Sequence, residues 1–141
     1  MKYAKWISAL MILIIPALAT AQLQGNDRIT AQIPFKFVVA NTVVPAGELS
    51  IQRLNPAVSG LLVKSRDARI ELFAAASPAL SKSAAGSYAL LFHCYGDRCF
   101  LAGVMVKGSR TMYTLHPSKL EAEMRAQNAP AREEILLASA K

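Results

Sequence analysis

Short apolar runs separated by turn-forming residues dominate the chain from residue 28 onward. The runs are rich in Val, Ile, Leu and Phe, and Pro, Gly, Asn and Asp lie between them, for example at Asn55-Pro56, a pattern typical of strands joined by turns. Polar and apolar positions alternate within several runs, so that successive side chains point to opposite faces. We predict strands at 28–33, 35–39, 48–54, 61–65, 69–75, 87–95, 98–107, within 108–115 and at 134–138. The predicted fold class is mainly β, a small antiparallel β-sandwich or partly open barrel of about seven to nine strands.

The clearest predicted unit is a hairpin formed by residues 87–95 and 98–107. Gly96-Asp97 fits a two-residue turn with glycine first, which suits the right-handed twist of paired strands. The residue pairs that this turn predicts are Tyr95–Arg98, Cys94–Cys99, Phe92–Leu101 and Leu90–Gly103. In this register Met105 lies on the face of Phe92, and Val104 lies on the other. Both faces are largely apolar, so we expect the hairpin at the centre of the sheet.

Two further segments differ from the strand pattern. Residues 77–87 are rich in Ala and Ser and include Pro78 and Gly86, which predicts an exposed loop. Ser118 is a good helix N-cap, and Glu121 three residues later completes a capping box. We therefore predict one short helix near the C-terminus, within a single β-rich domain spanning 22–141.

The first 21 residues have the three parts of a cleavable signal peptide. Lys2 and Lys5 are followed by an almost unbroken apolar run over 6–18, and Ala19-Thr20-Ala21 supplies a small-x-small cleavage site. An uncleaved membrane anchor is the alternative, but about thirteen apolar residues is short of the roughly twenty that a span needs. The sequence therefore predicts a periplasmic or secreted protein that begins at Gln22, with no membrane span after cleavage.

The chain is basic, with 16 Lys and Arg against 9 Asp and Glu. Residues 118–141 are balanced in charge, so the excess beyond the signal segment lies in 22–117. A candidate anion-binding face consists of Arg53, Lys64, Arg66 and Arg69, for which a solvated surface is the alternative. The partner is unknown; an anionic envelope polymer or another exported protein fits the charge and the export. Nucleic acid is not expected, because aromatic residues do not alternate with the basic ones.

Cys94 and Cys99 are the only cysteines. The predicted register places them directly opposite each other, and an exported protein folds under oxidising conditions, so we predict a structural disulfide. Two free thiols, or a redox-active or metal-binding pair, are the alternatives. The C-x4-C spacing differs from the C-x-x-C of redox proteins, and no second pair completes a zinc site.

Candidate catalytic residues are confined to His93 and His116, the two histidines. Neither G-x-S-x-G nor H-E-x-x-H occurs in the chain. We interpret His93 as a packed core residue and His116, before Pro117, as a turn residue. The sequence therefore predicts no catalytic, cofactor-binding or metal-binding residues.

The chain contains the stretch IPFKFVV at 33–39, with Asn41 and VPAGELSI at 44–51, and the stretch FHCYGDRCFL at 92–101. Together these stretches resemble a family of small exported bacterial proteins of unknown function. The likeness runs from about residue 29 to about residue 125. It implies export and a shared fold, and it gives no activity to carry over.

The predicted function is that of an exported, non-enzymatic binding or structural protein of the cell envelope. The alternative is a small secreted hydrolase or carbohydrate-active enzyme with an unrecognised site. A cleft that holds His93 or His116 near a carboxylate would favour the enzyme, and a basic or apolar open face would favour binding.

Overall fold

The structure is a computed structural model that describes residues 28–54 and 59–140. The predicted signal segment, its cleavage before Gln22 and the predicted turn at Asn55-Pro56 lie outside these residues. The described part contains eleven strands and one helix: β1 (Arg28–Ile33), β2 (Phe37–Val39), β3 (Thr42–Val44), β4 (Gly47–Arg53), β5 (Gly60–Ser65), β6 (Ile70–Leu80), β7 (Ala89–Tyr95), β8 (Arg98–Met105), β9 (Thr111–Leu115), α1 (Lys119–Ala126), β10 (Arg132–Leu137) and β11 (Ser139–Ala140). The predicted fold class, mainly β with one short helix near the C-terminus, is confirmed.

The strands form one open sheet in the order β10-β7-β8-β9-β6-β5-β4-β1-β11, and the short β2–β3 hairpin joins it beside β8. All pairings are antiparallel except that of β2 with β8. The long β6 connects two halves of the sheet, because its first part pairs with β5 and its last part with β9. β10 and β11 lie at opposite ends of this order but are separated only by Ala138. The C-terminal segment therefore connects the two ends of the curled sheet.

The apolar core lies between the two halves. The buried positions follow from the alternation of side chains along each strand. In β1, for example, Ile29, Ala31 and Ile33 are buried and the residues between them are not. The rings of Phe35 and Phe37 both contact Phe92 edge to face, at centroid distances of 5.2 and 5.3 Å. These contacts pack the β2 segment against β7.

The β7–β8 hairpin has the predicted turn, with Gly96 at a φ of 61°. The predicted pairs from Tyr95–Arg98 to Phe92–Leu101 are present. The predicted Leu90–Gly103 pair is wrong, because a bulge between Leu91 and Phe92 shifts the register and pairs Leu90 with Val104. One extra residue moves every later side chain to the other face. Val104 is consequently in the core, and Met105 is only half-buried.

The loop predicted at 77–87 is partly wrong. β6 continues to Leu80, and its residues Ser77–Leu80 pair with Thr111–Thr114 of β9. Among the described residues, this part of β6 pairs with a neighbouring strand on one side only. Proline has no backbone N–H, and Pro78 is tolerated here because an edge strand leaves one side without ladder hydrogen bonds. Pairing with β9 thus overrides the weak strand propensity of Ala and Ser.

The helix begins as predicted. Ser118 is the N-cap of α1, and its Oγ accepts a hydrogen bond from the Glu121 backbone N at 3.2 Å. The second half of the predicted capping box is not among the hydrogen bonds of the described residues, because the Glu121 carboxylate accepts a hydrogen bond from Tyr95 of β7 instead. The buried Glu121 side chain thereby links α1 to β7.

Candidate functional site

A basic face lies on the outer side of β1, β4, β5 and β6. The strand register aligns Thr30, Ser50, Lys64 and Glu71 in one row across these four strands. Their neighbours in sequence, such as Ile29, Leu49 and Val63, are buried. Since side chains alternate along a strand, this row points away from the core. The sheet thus presents a polar surface continuous over four strands.

The outer face contains a depression of about 520 Å³. Lys64, Arg66 and Arg69, three of the four predicted anion-binding residues, line it together with Arg28. Arg28 was missed because it is distant in sequence, and only the pairing of β1 with β4 brings it to this surface. Arg53 does not line the depression. We refer to Arg28, Lys64, Arg66 and Arg69 as the basic face.

Two carboxylates, Glu48 and Glu71, also line the depression. Arg66 Nη1 lies 3.1 Å from Glu48 Oε2, and Lys64 Nζ lies 3.7 Å from Glu71 Oε2. None of the ion pairs among the described residues includes Arg28 or Arg69. Ion pairs this exposed contribute at most about 1 kcal/mol, so an anionic ligand can compete for Lys64 and Arg66. The depression therefore has an excess of positive charge that is available to a ligand.

A second polar cluster joins β7 to α1. The Glu121 carboxylate is buried and accepts a hydrogen bond from Tyr95 Oη at 3.0 Å. Arg125 Nη2 lies 3.0 Å from Glu121 Oε2, and Arg125 Nε donates to Tyr95 Oη at 3.0 Å. The hydrogen bond with Tyr95 and the charge of Glu121 raise the pKa of Arg125 above its ordinary value. The groups around Arg125 thus favour its charged form.

His93 belongs to this cluster, and its interpretation as a packed core residue is wrong. The ring is half-buried, and Arg125 Nη2 lies 3.0 Å from His93 Nδ1. A guanidinium can only donate, so Nδ1 is the acceptor in this contact, whereas in its second contact, with Glu121 Oε2 at 3.4 Å, Nδ1 would have to be the donor. Nε2 lies 3.8 Å from Glu133 Oε1. The strand pattern did not indicate that α1 packs against His93.

The depression beside His93 has a volume of about 610 Å³ and is open. It holds a histidine near carboxylates, which is the arrangement that favours an enzyme. Among the described residues, however, no Ser, Thr or Cys lines it. A nucleophilic hydrolase needs a hydroxyl or thiol within hydrogen-bond reach of the base.

His116 has the opposite combination. Its Nε2 lies 3.1 Å from Ser77 Oγ, and its backbone N donates to Ala75 O at 3.1 Å, which fixes the segment after β9. In the part of the chain that the structure describes, no carboxylate forms an ion pair with His116. The Ser77 hydroxyl thus lies beside His116, whereas the carboxylates of Glu121 and Glu133 lie beside His93.

The predicted Cys94–Cys99 disulfide is present. The two residues lie opposite each other on β7 and β8, with a Cα–Cα distance of 4.0 Å. The bond uses both sulfur atoms, so the thiol and metal-binding alternatives do not apply to this structure.

Across the described ranges, no group of three or more His, Cys, Asp or Glu residues is arranged to hold a metal ion. Within the same ranges no helix has the length and apolar character needed to cross a membrane.

Arg53, the fourth predicted anion-binding residue, lies away from the basic face. It is the last residue of β4, and its Nη1 donates a hydrogen bond to the Tyr113 hydroxyl of β9.

Comparisons with protein-family models, curated proteins and solved structures found no match to this chain.

Proposed function

We propose that this chain is an exported, non-enzymatic binding protein whose basic face binds an anionic polymer of the cell envelope. The observation that supports this most directly is the gathering of Arg28, Lys64, Arg66 and Arg69 around one depression, which among the described residues is lined by two carboxylates. The signal-like segment and the resemblance to small exported proteins support the location. The disulfide is also typical of proteins that fold outside the cytoplasm.

The shape of the basic face suits a polymer better than a compact anion. The polar row Thr30, Ser50 and Lys64 crosses three strands, so an extended chain lying over it meets hydroxyl donors as well as cations. The depression is open, and such a surface can contact several repeating anionic groups at once. Each contact is weak alone, and several together give useful affinity.

The experiment is retention on an immobilised polyanion, with heparin as the probe. We expect elution to require added salt, because screening weakens contacts between exposed charges. The variant Lys64→Glu/Arg66→Glu/Arg69→Glu should bind at least about tenfold more weakly, since three contacts of roughly 0.5–1 kcal/mol each are lost.

The matched control is Lys82→Glu/Arg98→Glu/Lys107→Glu, which changes the net charge equally at exposed positions outside the depression. Equal weakening by the two triple variants would show that net charge, and not the basic face, determines retention. Circular dichroism of both variants establishes that each remains folded.

A secreted hydrolase is the second candidate function, and the hydrogen bond between Ser77 and His116 favours it. Here Ser77 would act as the nucleophile and His116 as its base. Hydrolysis of an ester such as p-nitrophenyl acetate that is abolished by both Ser77→Ala and His116→Ala would establish this function and contradict the binding proposal. Background hydrolysis that is equal in the wild type and both variants is the result that the binding proposal expects.

A further inference from the structure

A smaller cavity of about 210 Å³ opens between the two halves of the sheet. Its wall is formed by Ile29, Ile51, Leu61 and Val104, which come from β1, β4, β5 and β8 and are all at most 4% exposed. The half-buried Val106 extends this wall. The cavity is thus an accessible part of the apolar core.

The mouth of the cavity is polar. Ser109, Thr111 and Tyr113 line it from the β9 side, and Arg53 lines it from the end of β4. The Arg53 guanidinium lies 5.7 Å from the centroid of the Tyr113 ring, and it also donates to the Tyr113 hydroxyl. These two residues therefore face each other across the gap between the halves of the sheet.

Arg53 has hydrogen-bonding capacity left for a ligand. A guanidinium has five N–H donors, and within the described ranges the bond to Tyr113 is the one hydrogen bond that uses them. Among the described residues, none of the ion pairs includes Arg53. A guanidinium at the mouth of an apolar cavity suits a carboxylate, which can accept two parallel hydrogen bonds from it.

The volume limits the apolar part of such a ligand. A cavity of roughly 150 Å³ lined by apolar side chains is enough to bind benzene. About 210 Å³ therefore accommodates an apolar group of roughly six to eight carbon atoms, and it is smaller than the 300–1,000 Å³ or so of sites for larger ligands. A long acyl chain does not fit.

We propose that this cavity binds a small monocarboxylate, with its apolar group of about six to eight carbons against Ile51, Leu61 and Val104 and its carboxylate on Arg53. This site is separate from the basic face and does not depend on the proposed polymer binding. It also gives a role to the one predicted anion-binding residue that the basic face leaves out.

The test is calorimetric titration of protein purified after expression of the full chain. Octanoate should bind saturably, whereas octanol, which has the same chain without the charge, and acetate, which has the charge without the chain, should bind at least about tenfold more weakly. Arg53→Gln should weaken octanoate binding by about tenfold to a hundredfold and leave octanol binding unchanged. The control Arg66→Gln removes the same charge from the basic face and should have no effect.

Equal binding of octanoate and octanol, or weakening by Arg66→Gln as large as that by Arg53→Gln, would overturn the proposal. Failure of octanoate to bind the wild type would also overturn it. If Arg53→Gln does not fold, NMR titration of the wild type decides. Octanoate should shift the amide signals of Val104, Val106 and Tyr113, and shifts confined to Lys64 and Arg66 would contradict the site.

Discussion

Arg69 combines an unfavourable backbone conformation with a place on the basic face. Its φ is 53°, in the left-handed region that favours glycine, and it lies in the turn between β5 and β6. Its side chain is exposed, so burial does not explain why an arginine is there. A left-handed non-glycine residue typically costs about 1 kcal/mol. If the basic face binds an anionic polymer, the positive charge of Arg69 explains why this position is not a glycine.

Substituting glycine separates the backbone cost from the charge. Arg69→Gly should raise the free energy of unfolding by about 0.5–1 kcal/mol, because the left-handed conformation no longer clashes with a Cβ. It should also weaken retention on heparin, since one cation of the basic face is lost. Thermal melts and salt elution measure the two effects.

Ala40 supplies the matched control. It is exposed, has a φ of 48° and lies in the β2–β3 turn, away from the basic face. Ala40→Gly should stabilise the protein by a similar amount and leave heparin retention unchanged. Loss of retention in both glycine variants would mean that turn geometry, and not the Arg69 charge, is responsible.

At the scale of elements, the disulfide reinforces a hairpin that is already well packed. Phe92, Phe100 and Leu101 of this hairpin are buried on its two faces, and the bridge closes a loop with a sequence separation of only 5 residues. Replacing both cysteines by alanine should therefore lower the free energy of unfolding by about 2 kcal/mol without abolishing cooperative unfolding. Urea denaturation of the oxidised wild type and the double variant measures the difference.

Alanine is preferred to serine in this experiment, because both cysteines are buried and a serine hydroxyl would need a new hydrogen-bond partner. Reduced wild type serves as the control and should match the double variant within about 1 kcal/mol. A double variant that loses its hairpin would show that the bridge, and not the apolar faces, holds β7 and β8 together.

The hairpin also shows what the sequence could predict about elements. Gly96-Asp97 determined the register near the turn, because a two-residue turn leaves no freedom in the adjacent pairs. The bulge at Leu91/Phe92 was not predictable, since nothing in the alternation of apolar residues indicates an extra residue when both faces are apolar. The β2–β3 turn was missed for a related reason. Its Ala40 and Asn41 both have positive φ, a geometry usually indicated by Asn-Gly.

The candidate sites depended on contacts between distant segments. Lys64, Arg66 and Arg69 are close in sequence, and a short turn was enough to bring them together. Arg28 reached the same face only through the β1–β4 pairing, and Glu121 reached His93 only through the docking of α1. The same dependence explains why the prediction for Arg53 failed, because the fold places its side chain beside Tyr113 rather than beside Lys64. One sequence gives local periodicity but does not give the order of strands.

At the scale of the whole molecule, charge and topology separate the chain into two parts. The basic face is formed entirely by residues 28–69, whereas the C-terminal part from residue 118 is balanced in charge and connects the two ends of the sheet through β10 and β11. Ala138 N also donates to Tyr88 O at 2.9 Å between the pairings of these two strands. We infer that the C-terminal segment has a mainly structural role, and that ligand recognition falls to the earlier strands.

Export is the prediction that concerns the whole chain. We expect a bacterium expressing the full sequence to process it so that the mature protein begins at Gln22, because Ala19-Thr20-Ala21 follows an apolar run that is too short for a stable span. N-terminal sequencing of the periplasmic fraction measures this directly. The matched control lacks residues 2–21 and remains in the cytoplasm, where its two thiols should be reduced. After unfolding in urea without a reductant these buried thiols should react with iodoacetamide, whereas the bridged cysteines of the exported form should not. An intact Met1 in the membrane fraction would contradict cleavage, and it would place the basic face on an anchored protein instead of a freely diffusing one.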